Sequence, residues 1–257
     1  MIPVNCNGVS FYQFENLTSF RRIDHGIFTR HSGCSQPPFE SLNISYGVGD
    51  EEKAVARNRE TISRIMGAGA MTYIQQVHGC EIAVLENNQK TDTPGKRIRP
   101  IIADAVVTDR TDSYLVIQVA DCQSVLMYAP ARHVVANVHS GWRGSIRNII
   151  GRTVETMQRR FGCRPADIIA AIGPSLGPCC AEFINYKTEI PREYWGYKGV
   201  DNHFDFWAVS SDQLVHAGVL KENIESSRMC TRCRTEEFFS YRAEKITGRL
   251  AAVIGLK

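Results

Sequence analysis

Four short β-rich runs lie almost end to end in the middle of the chain: Ala105-Val-Val-Thr108, Leu115 to Ala120, Ser124 to Tyr128 and His133 to Val138. Turn residues such as Asp112-Ser113 and Ala129-Pro130 separate them. Their lengths and apolar, β-branched content predict buried neighbouring strands. Helical periodicity appears on either side. Glu51 to Met66 spaces Ala54, Val55, Ile62, Ile65 and Met66 along one face, with Gly67 as a stop. Gly144 to Phe161 reads as a second helix and Val209 to Val219 as a third, while Asp167 to Ile172 and Arg249 to Ile254 read as further core strands. The interleaving lacks a strict βαβ alternation. It predicts an α+β fold in which a mixed β-sheet is sandwiched between helical layers, a three-layer α-β-α arrangement. The first fifty residues are rich in turn formers, and Asn87 to Pro100 reads as an exposed polar loop.

The chain has 257 residues, near the upper end for one hydrophobic core, so one large domain and two closely fused lobes are both allowed. Charged residues make up 22% and apolar residues 43%, so neither disorder nor a fibrous repeat is indicated. The net charge is +3 with no run of Lys or Arg longer than two, which gives nucleic-acid binding no support. No apolar stretch approaches the ~20 residues a membrane helix needs, and the N-terminus lacks a signal-peptide pattern, so a cytoplasmic protein is expected. The nine cysteines are odd in number, which favours reduced thiols over a disulfide framework. No sequence feature specifies an oligomeric state.

Three groups with metal-ligand chemistry stand at predicted strand ends. Cys122 follows the strand ending at Ala120, His139 follows the one ending at Val138, and His78 follows Tyr73 to Val77. Sites gather at strand ends in α/β sheets. Two imidazoles and a thiolate suit Zn²⁺ with a fourth position open for chemistry. No short metal motif joins ligands so far apart, and each alone is also explained as a hydrogen-bonded histidine or a buried thiol. Cys230-Thr-Arg-Cys233 has no second Cys-x-x-Cys to complete a zinc knuckle and reads as two ordinary thiols near a loop. The adjacent Cys179 and Cys180 are expected in the core beside Gly173-Pro174.

Longer tracts point to a family. Gln76-Val-His-Gly79, Asp104-Ala-Val-Val-Thr108, Ala120-Asp-Cys122, His139-Ser-Gly-Trp-Arg-Gly144 and Ile172-Gly-Pro174 with Cys179-Cys180 resemble the YfiH-type family, often labelled laccase-domain or polyphenol oxidase proteins. So do His25-Gly-Ile-Phe-Thr-Arg30, Ser41-Leu-Asn43, Asn58-Arg59, Phe238-Phe-Ser-Tyr-Arg242 and Thr247-Gly-Arg249. The resemblance runs along almost the whole chain in order. It implies a single domain over residues 1–257, zinc on His78, Cys122 and His139, and purine nucleoside chemistry: phosphorolysis of adenosine, inosine and methylthioadenosine, and deamination of adenosine. Purine nucleosides and phosphate are then the expected partners. Three positions depart from the family pattern: Ser124 in place of a proline, Ser140 in place of alanine and Ala243 in place of arginine.

The laccase label does not fit the residues. A multicopper laccase needs about ten histidines, many in His-x-His pairs, whereas this chain has seven and no such pair. A single His₂Cys site admits copper as the other metal, with electron transfer as its chemistry.

For the expected reaction, Asp121 is either an acid/base or a hydrogen-bond partner of a ligand or loop amide. Arg143, between Gly141 and Gly144 at a predicted helix start, suits an anion, with Arg59 and Arg30 as further candidates. Motif position makes His25, Asn43 and Gln76 candidate contacts to ribose or base. Trp142 is either a purine-stacking ring or a buried anchor. Two other classes remain open. A metal-free Cys122–His139 pair would be a hydrolase, one form of which is a peptidoglycan-precursor editing amidase. A zinc-bound protein without turnover would be a binding protein.

Overall fold

The computed structural model describes residues 1–86 and 100–257, so most of the polar loop expected over 87–100 lies outside the described residues. Twelve strands are formed among them. In chain order they are β1 (Ile2–Cys6), β2 (Val9–Gln13), β3 (Ile23–Phe28), β4 (Ala70–Tyr73), β5 (Ile82–Leu85), β6 (Ala105–Thr108), β7 (Ser113–Val119), β8 (Gln123–Ala129), β9 (Val134–Ser140), β10 (Ile169–Ile172), β11 (Ile224–Ser226) and β12 (Leu250–Leu256). The helices are α1 (Glu15–Thr18), α2 (Glu52–Met66), α3 (Trp142–Ile146), α4 (Ile149–Phe161), α5 (Tyr186–Glu189), α6 (Phe206–His216) and α7 (Tyr241–Glu244).

The mixed β layer between helices is present, and it is double. One six-stranded sheet has the order β1-β2-β3-β12-β7-β4 and the other β11-β10-β8-β9-β6-β5. Each contains parallel and antiparallel pairs. Alternation along the central strands explains the stacking. Leu115, Ile117 and Val119 of β7 meet Leu126 and Tyr128 of β8 and Val135 of β9 in the core between the sheets. The opposite face of β7 sends Tyr114 and Val116 against Ile62 and Met66 of α2. The opposite faces of β8 and β9 send Val125, Met127 and Ala136 against Ile150, Val154 and Met157 of α4 and Leu214 of α6. Strands apolar on both faces therefore give four layers, helix on sheet on sheet on helix.

Local chemistry sets the helix ends. Gly67 takes φ 59° and its amide closes α2 on the carbonyls of Ser63 and Arg64. The helix expected from Gly144 to Phe161 is broken in two. Asn148 takes φ 55°, and its side chain accepts from the Gly151 amide to start α4 afresh. The turn-rich N-terminal tract holds three strands, β1 to β3, which the abundance of Ser, Gly and Pro obscured. No described helix is long and apolar enough to cross a membrane.

The sheets are also joined by a polar contact. Asn137 of β9 is fully buried, and its amide donates to the carbonyls of Leu115 in β7 (3.0 Å) and Ala252 in β12 (2.9 Å). Removing it deletes two hydrogen bonds in the dry core. Asn137→Ala is expected to lower stability by about 2 kcal/mol. Urea unfolding should show a lower midpoint at unchanged slope; an unchanged midpoint would refute this role.

Candidate metal centre and active site

The site forms where the chain passes between sheets. After β4 the backbone stays extended, and the Gln76 side chain takes the place of a neighbouring strand: its amide donates to the Gln118 carbonyl (2.8 Å) and accepts from the Gln118 amide (2.8 Å). The turn Val77-His78-Gly79 then wraps around one carboxylate. Asp104 accepts from the amides of Val77 (3.3 Å), His78 (2.9 Å) and Gly79 (2.7 Å). His78 is held there at φ 58°, a left-handed conformation uncommon for a side chain of its size.

The same carboxylate lies 2.8 Å from Nδ1 of His139, near the end of β9. Asp104 is completely buried. Burial alone would raise its pKa, but hydrogen bonds from His139 and the Gly79 amide outweigh this and hold it below the usual carboxylate range. His139 therefore presents Nε2 to the site. Carboxylate, histidine and metal in series are a recurring arrangement, because the carboxylate fixes ring tautomer and orientation.

Cys122 sits at the corner where β7 of one sheet gives way to β8 of the other. The preceding residue, Asp121, has φ 84°. Its carboxylate accepts from the hydroxyls of Thr231 (2.6 Å) and Ser240 (2.7 Å) and from the Arg242 amide (2.6 Å). Of the two roles open to Asp121, this geometry favours the hydrogen-bonding one, with three donors fixing the corner that presents Cys122.

The ligand atoms of His78, Cys122 and His139 all lie within 4.8 Å of one another, with Cys122 Sγ 3.9 Å from His78 Nε2. His139 is buried, Cys122 half-buried and His78 exposed, so the cluster opens on one side. Gly141 shows how closely the backbone passes: a Cβ there would stand 3.1 Å from the Cys122 sulfur and 3.1 Å from the His78 ring. Burial raises the Cys122 thiol, yet the charge and hydrogen bonds of His139 and His78 outweigh it and bring it down to about 6. Burial likewise opposes charge on His139, but Cys122 and Asp104 push it up to about 9. Both shifts run in the direction of a thiolate–imidazolium pair when no metal is bound. The donor set and its carboxylate support fit one zinc or copper ion.

The open side faces a cavity of about 810 Å³. Arg59, Gln76 and Arg143 are among the residues that line it. Arg59 lies between Tyr73 (3.8 Å) and Tyr46 (4.4 Å), its Nε donating to the Ile44 carbonyl. Arg143 rests 4.4 Å over the Trp142 ring, in the separate short helix α3 rather than at the start of a long one.

The structure places three of the expected contacts away from this cavity. His25 is buried in β3, brought down to about 4 by burial, and accepts from the Phe14 amide (2.8 Å). Arg30 stacks on Phe239 and donates to Glu244 and the Thr235 carbonyl. Asn43 is fully buried, ties down Asp50, and accepts from the Arg249 amide (2.8 Å). All three belong to the frame and are absent from the cavity lining. Cavity residues to which the sequence assigns no role include Arg242, Arg249, Lys245, Phe183 and Tyr241. Asp104 was also missed as a functional residue. Its signal is an acid immediately before the apolar run Ala105-Val-Val107, where burial demands a partner. Of the departures, Ser124 has a buried hydroxyl with no partner among the described residues, whereas the Ser140 hydroxyl pairs with that of Ser145 at 3.0 Å.

Two outcomes follow from this geometry. Asp104→Asn should weaken metal binding roughly 10–100-fold in a chelator competition, and affinity within twofold of wild type would refute the orienting role. In metal-stripped protein, the thiolate of Cys122 persists as pH falls until about 6, so its alkylation, followed by peptide mass spectrometry, should have its midpoint there. A midpoint near the ordinary thiol value of about 8.5 would contradict the pairing.

Comparison with known proteins gives these features a family. The model described as multi-copper polyphenol oxidoreductase laccase matches residues 24–257. The purine nucleoside phosphorylase YlmD of Geobacillus stearothermophilus is 32% identical over 250 residues, covering 90% of this chain and 89% of that protein. The purine nucleoside phosphorylase YfiH of Escherichia coli K12 is 31% identical over 242 residues, covering 89% and 91%. The crystal structure of the Geobacillus YlmD superposes with a TM-score of 0.86 at 29% identity, over 99% of this chain and 98% of that one. With sequence and fold in agreement over nearly its full length, the chain belongs to the laccase-domain family of YfiH and YlmD.

Proposed function

We propose that this chain is a zinc-dependent purine nucleoside phosphorylase acting on adenosine, inosine and methylthioadenosine, with adenosine deamination as a second activity. One observation carries the reading: the His78, Cys122 and His139 donors open onto the same cavity as a set of aromatic rings and arginines. Two relatives bear the name purine nucleoside phosphorylase, which supports the reaction class. A volume of about 810 Å³ accommodates a nucleoside together with phosphate. Nine free thiols suit a reducing cytoplasm.

Each role follows from chemistry. Trp142, Phe183 and Tyr241 offer faces for a purine. Arg143, with no ion-pair partner among the described residues, is the phosphate ligand, and Arg59 a second one. Phosphorolysis joins a phosphate oxygen to C1′ while the C1′–N9 bond breaks and the purine departs with the electron pair. Cationic side chains stabilise both the entering phosphate and the charge on the departing base. A zinc ion held by His78, Cys122 and His139 would supply a Lewis acid beside the bound substrate. Asp121 positions the Cys122 corner, and Gln76 fixes the approach to His78. A four-copper oxidase is not supported, since the sequence has no His-x-His pair.

A second reading has its own observation. The thiolate–imidazolium character of Cys122 and His139 suits a metal-free hydrolase, including a peptidoglycan-precursor amidase. His78 weighs against it, because a two-residue site has no use for a third donor within 4.8 Å.

Product analysis separates the readings. With adenosine, the zinc-loaded protein should form adenine and ribose-1-phosphate only when phosphate is present, and inosine by deamination. Chelation or His139→Ala should abolish these products, and Arg143→Ala should raise the phosphate KM roughly 10-fold or more. Failure to turn over any purine nucleoside, or undiminished activity after metal removal, would overturn the proposal.

A further inference from the structure

Four cysteines meet outside the site just described. In the sequence, Cys179-Cys180 reads as a core pair, and Cys230 and Cys233 read as two ordinary thiols near a loop. The structure brings all four sulfurs within 4.8 Å of one another. Cys233 Sγ stands 3.6 Å from that of Cys179 and 3.5 Å from that of Cys180, and the Gly177 amide donates to Cys230 Sγ at 3.3 Å. Backbone hydrogen bonds join the two segments: the Ser175 amide to the Met229 carbonyl (3.1 Å) and the Thr231 amide to the Ser175 carbonyl (3.0 Å). The cluster is therefore built by folding together segments some fifty residues apart in sequence.

The spacing identifies the occupant. A disulfide requires sulfurs about 2.05 Å apart, and here Cys233 is nearly equidistant from two partners. A tetrahedral ion with metal–sulfur bonds of about 2.3 Å sets its ligands about 3.8 Å apart, close to the separations seen. A two-iron cluster divides its thiolates between two metals and spreads them further. Four thiolates select a soft or borderline ion over calcium or magnesium.

We propose that Cys179, Cys180, Cys230 and Cys233 form a second, structural Zn²⁺ site, separate from His78, Cys122 and His139. Binding converts the thiols to thiolates and releases their protons to solvent, with no change of oxidation state. All four positions are filled by protein, so the ion braces rather than reacts. Thr231 lies between two of the ligands and donates to the Asp121 carboxylate. Leu176, three residues before Cys179, donates its amide to the Asp121 carbonyl at 2.8 Å and lines the cavity. Arg242, another cavity residue, donates to the Cys180 carbonyl at 3.2 Å. The ion thus clamps together the two loops that hold the Asp121-Cys122 corner. Cys179 and Cys233 are exposed, which places this clamp within reach of thiol reagents. The inference is independent of the nucleoside reaction.

Metal stoichiometry tests it. Protein purified anaerobically with reductant and zinc should hold two ions per chain by mass spectrometric elemental analysis, and Cys233→Ser and His139→Ala one each. Cobalt-loaded His139→Ala, with all four cysteines intact, should show sulfur-to-cobalt charge transfer and strong tetrahedral visible absorption, and this readout stands even if Cys233→Ser does not fold. One zinc in wild type that Cys233→Ser retains would overturn the proposal. So would a cobalt-loaded His139→Ala lacking tetrathiolate absorption, or a disulfide joining Cys233 to Cys179 or Cys180 in the reduced, zinc-loaded protein.

Discussion

The buried carboxylate of Asp104 is the contact on which this site depends. It gathers three consecutive amides of the turn carrying His78 and, through the same oxygen that takes the His78 amide, meets Nδ1 of His139. Two ligands from different parts of the chain are thereby indexed to one group. Because Asp104 is wholly excluded from water, an unpaired charge there would be costly, and the turn and the histidine must both be in place for the fold to tolerate it. The stabilising requirement and the functional geometry are the same set of hydrogen bonds.

The double β layer supplies the rest. His78 follows a strand of one sheet, His139 belongs to the other, and Cys122 occupies the chain's passage between them. A reactive cluster at that junction is walled by both sheets and by the loops closing over their ends. Gly141 lets the backbone pass close to two of the ligands, and Asn43, by accepting from the Arg249 amide, positions a cavity arginine without reaching the cavity itself. The frame and the site therefore share residues along their boundary, and motif position alone does not sort them.

What the sequence made legible follows from how local each signal is. The period of α2 and its glycine stop are contained within one helix, and β6 shows its apolar character over four residues. The central strands are apolar on both faces, which marks them as buried but does not say which sheet each joins. Asn148 breaks the expected long helix through a left-handed φ that many asparagines never adopt. His25, Arg30 and Asn43 stand in the motif tracts, yet each is engaged by partners within the frame and none lines the cavity, a placement that motif position does not reveal. The four-cysteine cluster was invisible because each pair is incomplete by itself, and only the pairing of Ser175 with Met229 and Thr231 unites them. The three side chains proposed as metal ligands, His78, Cys122 and His139, were singled out by the resemblance of whole tracts, not by any spacing rule, and the structure brings them together.

The central claim is that His78, Cys122 and His139 hold one metal ion oriented by Asp104. It is tested most directly by anomalous diffraction at the zinc edge from crystals of zinc-loaded protein. The account predicts an anomalous peak bonded to His78 Nε2, Cys122 Sγ and His139 Nε2, with Asp104 still on His139 Nδ1 and one position facing the cavity. A fully loaded crystal in which the zinc lies elsewhere, leaving these three side chains uncoordinated, would contradict it.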